Sequence, residues 1–220
     1  MHHPTHPLLN ESTLQTASHW LAERDEALAL VLERHGYPPL WARKPDFPTL
    51  IHIILEQQVS LASANAAFRR LEAALAGSFL PETFLAMGDV ELRDIGFSRQ
   101  KTTYARGVAE ALRTGTLDLE GLGHLPDEEV KIQLKKLKGI GDWTADIYLS
   151  ECLLRPDILP KGDIAMLEAF KVLKGLPARP DHPTFEAGTA HWRPWRSVGT
   201  RLLWHYYLSG PIRSSKPAPG

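Results

Sequence analysis

Residues 134–145 read Leu-Lys-Lys-Leu-Lys-Gly-Ile-Gly-Asp-Trp-Thr-Ala, and no other stretch of the chain is as informative. An amphipathic helix stops at Gly139-Ile140-Gly141, and a second helix begins at once. A glycine adopts a positive φ easily and lets a ligand approach the backbone, while Ile140 can be buried to hold the turn. The pattern predicts a tight helix-hairpin-helix over residues 134–152.

The start of the second hairpin helix offers a site for an anion. Backbone amides around Gly141 and Asp142 lack acceptors within the helix and lie at the positive end of its dipole. A DNA phosphate oxygen fits there, and Lys135, Lys136 and Lys138 would add attraction that is independent of base sequence. The alternative is an ordinary corner between two helices, with a glycine C-cap and a lysine face in solvent.

A second informative stretch, Lys161-Gly162-Asp163-Ile164, opens another amphipathic helix and places Asp163 twenty-two positions after Gly141. The positive end of that helix would keep the Asp163 carboxylate ionised and able to face a developing positive charge. The alternative interpretation is an aspartate that only caps the helix. The residue type and its position allow both.

Almost every other segment has helical periodicity, and strand-like alternation is nearly absent, so the sequence predicts an all-α fold. Residues 21–32 are predicted as one amphipathic helix, and another helix opens at Pro48-Thr49. Further helices are predicted over residues 61–75, 89–95, 101–112, 127–137, 142–154, 164–173 and 193–208. Proline and glycine cluster at 77–81, 121–126, 156–162 and 174–183, where they are expected to separate the helices.

The composition is that of a globular protein, with 220 residues, 43% hydrophobic and 23% charged. The single cysteine, Cys152, excludes an internal disulfide, zinc fingers and cysteine-ligated iron–sulfur clusters. The net charge of −1 does not favour nucleic acid, but residues 131–213 hold thirteen Lys or Arg against eight Asp or Glu. No apolar stretch of ~20 residues and no signal peptide is present, so we expect a cytoplasmic protein that does not contact membranes.

Four motifs in this order resemble the helix-hairpin-helix DNA glycosylases, and within them the AlkA-like 3-methyladenine DNA glycosylases. The motifs are EQQVS at 56–60, LKGIGDWTA at 137–145, LPKGDIAMLEAF at 159–170 and WRPWRS at 192–197, and the resemblance extends from about 48 to 208. It implies two helical lobes with the active-site cleft between them. Residues 47–155 would form one lobe and residues 8–46 with 156–212 the other, with disordered tails at 1–7 and 213–220.

The resemblance also implies an activity. Asp163 matches the catalytic carboxylate of the family. Enzymes of this family flip a damaged base out of duplex DNA before they excise it. Trp143 stands where bifunctional members carry the lysine that attacks the sugar, so this chain should use water and leave an abasic site. The expected partner is double-stranded DNA with alkylated bases such as 3-methyladenine or 7-methylguanine. We expect a monomer, associated with the nucleoid if the source is bacterial, without the β-rich N-terminal domain of longer members.

The family's substrate pocket maps onto Trp143 and Trp204, which would stack on an electron-poor base. Ile147 and Ile164 stand where relatives carry further aromatic residues, which implies a roomier pocket. The remaining tryptophans are expected to be packing residues: Trp20, Trp41, Trp192 and Trp195.

DNA contacts are expected at the hairpin and at one intercalating side chain. The hairpin residues are Lys138, Gly139, Ile140 and Gly141, and the wedge position of the family falls on Gln58. An apolar wedge is usual in this branch, and the alternative is that Gln58 only caps the helix at 49–58. The resemblance adds a Na or K ion held by the backbone carbonyls of Lys135, Leu137 and Ile140, and no other cofactor.

Two further functions remain open from the sequence. The chain could be a bifunctional glycosylase, or one for oxidised or mismatched bases, although Trp143 argues against lyase chemistry. It could instead be a DNA-binding module without activity, against which Asp163 and the tryptophan pocket argue.

Overall fold

The computed structural model describes residues 7–210, and within this range the chain forms thirteen α-helices and no β-strand. This confirms the predicted all-α fold. Apart from Pro7, the predicted disordered tails lie outside the described residues. The helices are α1 (Glu11–Ala22), α2 (Glu26–His35), α3 (Phe47–Glu56), α4 (Leu61–Ala74), α5 (Pro81–Ala86), α6 (Asp89–Ile95), α7 (Arg99–Arg113), α8 (Leu119–Leu122), α9 (Asp127–Lys135), α10 (Asp142–Ile147), α11 (Ile164–Leu173), α12 (His182–Gly188) and α13 (Arg196–Ser209).

Most of these helices begin where a short polar side chain accepts a hydrogen bond from an amide of the first turn, which satisfies one of the donors that every helix start leaves over. The residues with this role are Asn10, Asp25, Asp46, Ser60, Ser98, Asp118, Asp163 and Asp181. The helix boundaries are therefore set largely by local sequence, and seven of the predicted helices are confirmed: α3, α4, α6, α7, α9, α11 and α13.

The predicted single helix over residues 21–32 is wrong. The chain leaves the helical path after Ala22, and α2 starts at Glu26 with Asp25 as its N-cap. Both helices carry apolar residues at helical spacing, so the break is invisible to periodicity. The N-cap signal at Asp25 was the evidence available in the sequence.

The second hairpin helix also departs from its prediction over residues 142–154. The α-helical part ends at Ile147, and one turn of π-helix follows over Tyr148–Cys152. Leu153 is the C-cap of this helix, and the next residue, Leu154, has a positive φ of 51°. The π turn holds an extra residue, so the side chains after it are rotated around the axis relative to a regular α-helix.

Three short helices were missed because proline or glycine falls within or beside them. Proline is the first residue of α5 and the second of α12, where it favours a helix start because the missing amide would have no acceptor there. Helix α8 has only four residues and contains Gly121. The clusters at 77–81, 121–126 and 174–183 therefore include helix starts and ends as well as connections.

The described chain divides into two compact units, one formed by Arg43–Leu153 and the other by residues 7–42 together with 154–210. The first unit contains α3 to α10, and its buried apolar side chains include Leu50, Ile54, Leu71, Phe84 and Leu134. The core of the second unit joins the first two helices to the last three and includes Leu14, Val31, Phe170, Trp192 and Leu202. No helix within residues 7–210 is long and apolar enough to cross a bilayer.

Candidate functional site

The hairpin turn is closed by packing, and Gly139 is the residue that makes this possible. Its φ is +91°, and a Cβ added there would lie 2.1 Å from the ring of Tyr104 on α7. Ile140 is 5% exposed, as the sequence predicts for a residue that holds the turn. The close approach at Gly139 is therefore made by the protein's own aromatic ring, which leaves no room there for a ligand.

Gly141 has the opposite surroundings. It is exposed, and a Cβ added there would meet no heavy atom within 4 Å. Its φ of −97° is open to any residue, and it is the N-cap of α10 without a capping side chain. In the described part of the chain its amide donates to no acceptor. An anion can approach the backbone at this point of the hairpin.

The lysines beside the hairpin differ in how far their charge is balanced. Lys135 pairs with Asp142, so part of the attraction expected from it is offset. The Nζ of Lys136 donates to Gln133 Oε1 at 2.8 Å, which does not change its charge. Lys138 is exposed and makes no ion pair or hydrogen bond among the described residues. Of the three lysines, Lys136 and Lys138 keep an unbalanced charge for a phosphate.

The predicted wedge lies on an exposed turn between α3 and α4. Gln58 follows the end of α3 by two residues and has a φ of +58°. The capping position is taken by Gln57. Val59 and Leu61 beside Gln58 are each 44% exposed. The turn therefore presents a polar side chain flanked by apolar ones.

This turn is joined to the hairpin by one side chain. Nε2 of Gln57 donates to the carbonyl of Gly139 and to Oγ1 of Thr144, both at 2.9 Å. The sequence predicts no role for Gln57, because hydrogen-bond partners more than eighty residues away leave no pattern in the neighbouring sequence. Gln57 fixes the turn that carries Gln58 against the first turn of α10.

The end of α3 has a second anchor. Arg43 donates to both carboxylate oxygens of Glu56, at 2.8 and 3.2 Å, and its Nε lies 2.7 Å from Oε2 of Glu151 in the π turn. Both carboxylates are almost fully buried. Burial by itself lowers the pKa of Arg43, but the charges of Glu151 and Glu56 outweigh it and raise that pKa above its usual value. This buried cluster holds the residue before Gln57 in place.

Asp163 lies at the start of α11, as predicted, and is 8% exposed. Its Oδ1 accepts a hydrogen bond from the amide of Met166 at 2.8 Å, which is the helix-capping role that the sequence left open. The same oxygen accepts a second hydrogen bond, from Nε1 of Trp204 at 3.1 Å. Asp163 is thus both a helix cap and the acceptor for a residue predicted to line the pocket.

Trp204 lies on α13 and is partly exposed. Besides Asp163 it contacts Trp41, with ring centroids 6.2 Å apart and planes at 71°. Trp41 is predicted to be a packing residue, and in the structure it forms an edge-to-face pair with Trp204, which is predicted to line the pocket. Trp192, by contrast, is fully buried in the core as expected.

The other residues predicted for the pocket do not all lie in the unit that contains Asp163. Trp143 lies in the first turn of α10 and is partly exposed, while Ile147 at the end of α10 is only 3% exposed. Ile164 is 61% exposed directly after Asp163. The structure thus brings Asp163, Ile164 and Trp204 together in one unit, and Trp143, Ile147, Gln58 and the hairpin belong to the other.

The cysteine and two histidines near the C-terminal helices have structural contacts that explain their presence. Burial raises the pKa of the Cys152 thiol far above its usual value, so this cysteine is a core residue and not a nucleophile. His191 bonds to Asp25 and His205 to the carbonyl of His35, as expected for packing residues. In the described range no three His, Cys, Asp or Glu side chains form a metal-binding group.

Residues 51–194 match the HhH-GPD superfamily of base excision DNA repair proteins. DNA-3-methyladenine glycosylase 1 of Schizosaccharomyces pombe is 30% identical over 165 residues, which cover 74% of this chain and 72% of that protein. A DNA-3-methyladenine glycosylase of Bacillus subtilis is 28% identical over 172 residues, or 73% of this chain. This chain spans 64% and 57% of the length of two curated B. subtilis relatives.

The chain is also similar in structure to a solved 3-methyladenine DNA glycosylase. The 3-methyladenine DNA glycosylase Mag1 of S. pombe, in complex with abasic DNA, superimposes with a TM-score of 0.79 and 27% sequence identity. The superposition covers 86% of this chain and 95% of Mag1. The helical arrangement described above is therefore similar to that of a protein that binds DNA lacking a base.

Proposed function

The chain belongs to the HhH-GPD superfamily of base excision DNA repair proteins, and we propose that it is a monofunctional DNA glycosylase for alkylated bases. It would flip bases such as 3-methyladenine or 7-methylguanine out of duplex DNA, hydrolyse the bond to the sugar and leave an abasic site. The names of the S. pombe and B. subtilis relatives support this choice of substrate class. The similarity to Mag1 bound to abasic DNA supports DNA as the partner.

The observation that carries the proposal is the position of Asp163. A carboxylate that is 8% exposed, at the start of α11 and bonded to the indole of Trp204, combines a held negative charge with an aromatic surface beside it. Excision of an alkylated base needs these two elements. One stabilises positive charge on the sugar, and the other stacks on the base.

The proposed chemistry uses Asp163 as a fixed charge. As the bond between base and sugar breaks, positive charge develops on the deoxyribose, and a nearby carboxylate lowers the energy of that state. Because two donors already hold Oδ1, the group needs little reorganisation at the moment of reaction. Water then attacks the sugar, since Trp143 occupies the position at which bifunctional relatives carry an amine.

The residues proposed to contact DNA all lie in the first unit. Gly141 and the amides at the start of α10 would receive a phosphate, with Lys136 and Lys138 nearby. Gln58 would fill the gap left by the flipped base, and the exposed Val59 beside it would add apolar contact with the neighbouring bases. Gly139 and Ile140 would support this interface from inside the turn.

A Na or K ion at the hairpin is part of the same proposal. The carbonyls of Lys135, Leu137 and Ile140 are neutral oxygen donors of the kind such ions prefer. They lie around a turn closed by bonds from Leu137 N to Leu134 O and from Ile140 N to Leu137 O, both 3.1 Å. The Leu137 carbonyl already accepts the Ile140 amide, so the ion would use its second lone pair. An ion held there would add positive charge beside the phosphate. We further propose that the protein acts as a monomer, in the cytoplasm or on the nucleoid.

One experiment tests the function and its alternatives together. The protein is incubated with duplexes that carry methylated, deaminated or oxidised bases, and free base, abasic sites and strand breaks are measured separately. We expect free alkylated base and abasic sites without strand breaks. Strand breaks would favour a bifunctional enzyme, and binding without any released base would favour a non-catalytic DNA-binding module.

A further inference from the structure

Trp41 has a backbone conformation that bulky residues rarely adopt. Its φ is +48°, in the left-handed region where a non-glycine side chain crowds its own backbone. Strained conformations persist only when the surroundings impose them, and they occur most often where a side chain has to be aimed at a functional site. Two features of Trp41 are therefore important: the contacts that hold its backbone, and the groups that its side chain meets.

The backbone before Trp41 is held by α13. Arg201 on this helix is fully buried, and its Nε donates to the carbonyl of Leu40 at 2.9 Å. Its Nη1 donates to the carbonyl of Ser197 one turn earlier at 3.0 Å. Trp204 follows Arg201 by three residues on the same helix. One helix thus both fixes the strained segment and supplies the ring that Trp41 meets.

Trp41 is not a core residue of its unit. It is partly exposed. Within the described residues, Trp20 and Trp204 pack against the core of this unit, whereas Trp41 does not. Its ring contact is with Trp204, whose N–H is bonded to Asp163. The two indoles therefore form a partly exposed aromatic pair next to the carboxylate.

The chemistry of this pair suits a cationic planar ligand. An N–H that donates to a carboxylate shifts electron density into the indole, which makes the face of Trp204 more attractive to positive charge. The ring of Trp41, set at 71° to it, provides a second wall at a different angle. A flat cationic base can stack on one indole while its edge contacts the other.

We propose that Trp41 is a specificity-determining residue that contacts the flipped base together with Trp204. This inference rests on the proposed glycosylase function, because it assigns a further residue to the same pocket. It differs from the sequence-based prediction, in which Trp41 only packs. It also gives a reason for the strained conformation of Trp41, whose ring contacts the tryptophan bonded to Asp163.

The test compares a cationic with a neutral substrate. Single-turnover excision of 7-methylguanine and of hypoxanthine from the same duplex is measured for wild type, Trp41→Leu, Trp41→Phe and Trp20→Leu. Trp20 is the matched control, since it is also a partly exposed tryptophan of this unit but lies against Arg24 and makes no ring contact with Trp204 in the described structure. Thermal denaturation of each variant shows whether it folds.

We expect Trp41→Leu to lower the ratio of the 7-methylguanine rate to the hypoxanthine rate about three- to tenfold, and Trp41→Phe about two- to threefold, because Phe attracts cations less than Trp does. Trp20→Leu should leave the ratio unchanged. A purely structural role would slow both substrates equally, so an unchanged ratio in Trp41→Leu overturns the inference.

If Trp41→Leu does not fold, Trp41→Phe decides by the same criterion, a lowered ratio supporting the inference and an unchanged one overturning it. A wild-type protein that releases neither base overturns the proposed function itself. That result is distinct from an active enzyme whose ratio does not respond to Trp41.

Discussion

The indole nitrogen of Trp204 lies 3.1 Å from Oδ1 of Asp163, the same oxygen that accepts the amide of Met166 at 2.8 Å. One carboxylate oxygen therefore joins the start of α11 to the middle of α13. The observed helix-capping role is therefore compatible with the proposed catalytic role. The cap fixes the carboxylate in position, and a fixed carboxylate is what electrostatic stabilisation requires.

Asp163→Asn should separate the two roles. The amide oxygen of Asn still accepts from Met166 and Trp204, so we expect the free energy of unfolding to change by less than about 1 kcal/mol. Excision should fall by roughly 10²–10⁴-fold because the negative charge is lost. Single-turnover excision and thermal denaturation measure the two effects.

The matched control for this change is Asp181→Asn. Asp181 caps α12 in the same way, with Thr184 N 2.9 Å from its Oδ1, and it is exposed. The Asp181→Asn substitution should leave the rate of excision unchanged. Full activity in Asp163→Asn would remove Asp163 from the mechanism.

Trp143→Leu should lower excision of 7-methylguanine more than that of hypoxanthine. A cation–π contact is worth about 0.5–2 kcal/mol, so we expect the rate ratio to fall about two- to thirtyfold. If the lability of the damaged bond alone selects substrates, both rates would change by the same factor. A constant ratio between wild type and Trp143→Leu would then show that aromatic recognition by Trp143 is unnecessary.

The two hairpin glycines should respond differently to alanine. Gly139→Ala places a Cβ 2.1 Å from the Tyr104 ring at a φ of +91°, so it should destabilise the fold by about 1–3 kcal/mol or more. Gly141→Ala has open space and should leave stability nearly unchanged. It should weaken binding to undamaged duplex, and each lost phosphate contact should change the slope of log affinity against log salt by about 0.9.

A folded Gly141→Ala protein with wild-type affinity and salt slope would contradict a phosphate contact at this amide. Gly139 substitutions cannot make this distinction, because the protein itself occupies the space that a side chain would need.

Gln57→Met and Gln58→Gly should differ in their effects on stability. Gln57→Met removes two hydrogen bonds to the hairpin, at about 0.5–1.5 kcal/mol each, and should lower the free energy of unfolding. Gln58→Gly relieves a positive φ and should leave stability unchanged or slightly higher. Both should slow excision, the first by loosening the turn and the second by removing the wedge.

The readout that distinguishes a wedge from a structural residue is excision from a mismatched pair. A base that is already unpaired costs less to flip, so the loss in Gln58→Gly should be smaller opposite a mismatch than in a paired duplex. Equal losses in both duplexes would argue against intercalation by Gln58.

Asp25→Asn should destabilise the protein in a pH-dependent way. Burial by itself would raise the pKa of Asp25, but hydrogen bonds from Lys174, Trp192 and His191 outweigh it and hold the pKa below its usual value. The carboxylate therefore contributes stability above the unfolded-state pKa of about 3.9, and this contribution is lost as the pH falls through the lower folded-state pKa.

We expect wild type and Asp25→Asn to differ by about 1.5–3 kcal/mol at pH 7, as for hydrogen bonds to a charged group. The difference should shrink when urea unfolding is repeated below pH 4. A difference independent of pH down to pH 2 would show that the charge of Asp25 has no part in it.

The sequence was most informative where function depends on local pattern. The hairpin, the position of Asp163 at a helix start and most helix bounds follow from glycines, caps and periodicity that lie within a few residues of one another. Gln57, Arg43 and Trp41 gave no such signal, because their partners are far away along the chain. Gln57 bonds to Gly139, Arg43 to Glu151, and Trp41 meets Trp204.

The role of Gly139 shows a different limit. The sequence indicated that a ligand approaches the backbone of the hairpin, but a glycine does not identify which group approaches. At Gly139 it is Tyr104, and at Gly141 the space is open. Only the three-dimensional packing distinguishes a glycine required by the fold from one left accessible to a ligand.

The division of the second unit into residues 7–42 and 154–210 has a consequence for synthesis on the ribosome. Leu14, Leu21 and Val31 emerge early, but their core partners Phe170 and Leu202 lie on the far side of the other unit in sequence. At about 5–20 residues per second, the intervening roughly 110 residues take about 6–22 s to translate. During that time Arg43–Leu153 can fold as a contiguous segment while the first two helices wait with their apolar faces uncovered. The Trp41–Trp204 pair and its neighbour Asp163 are thus completed among the last parts of the newly made chain.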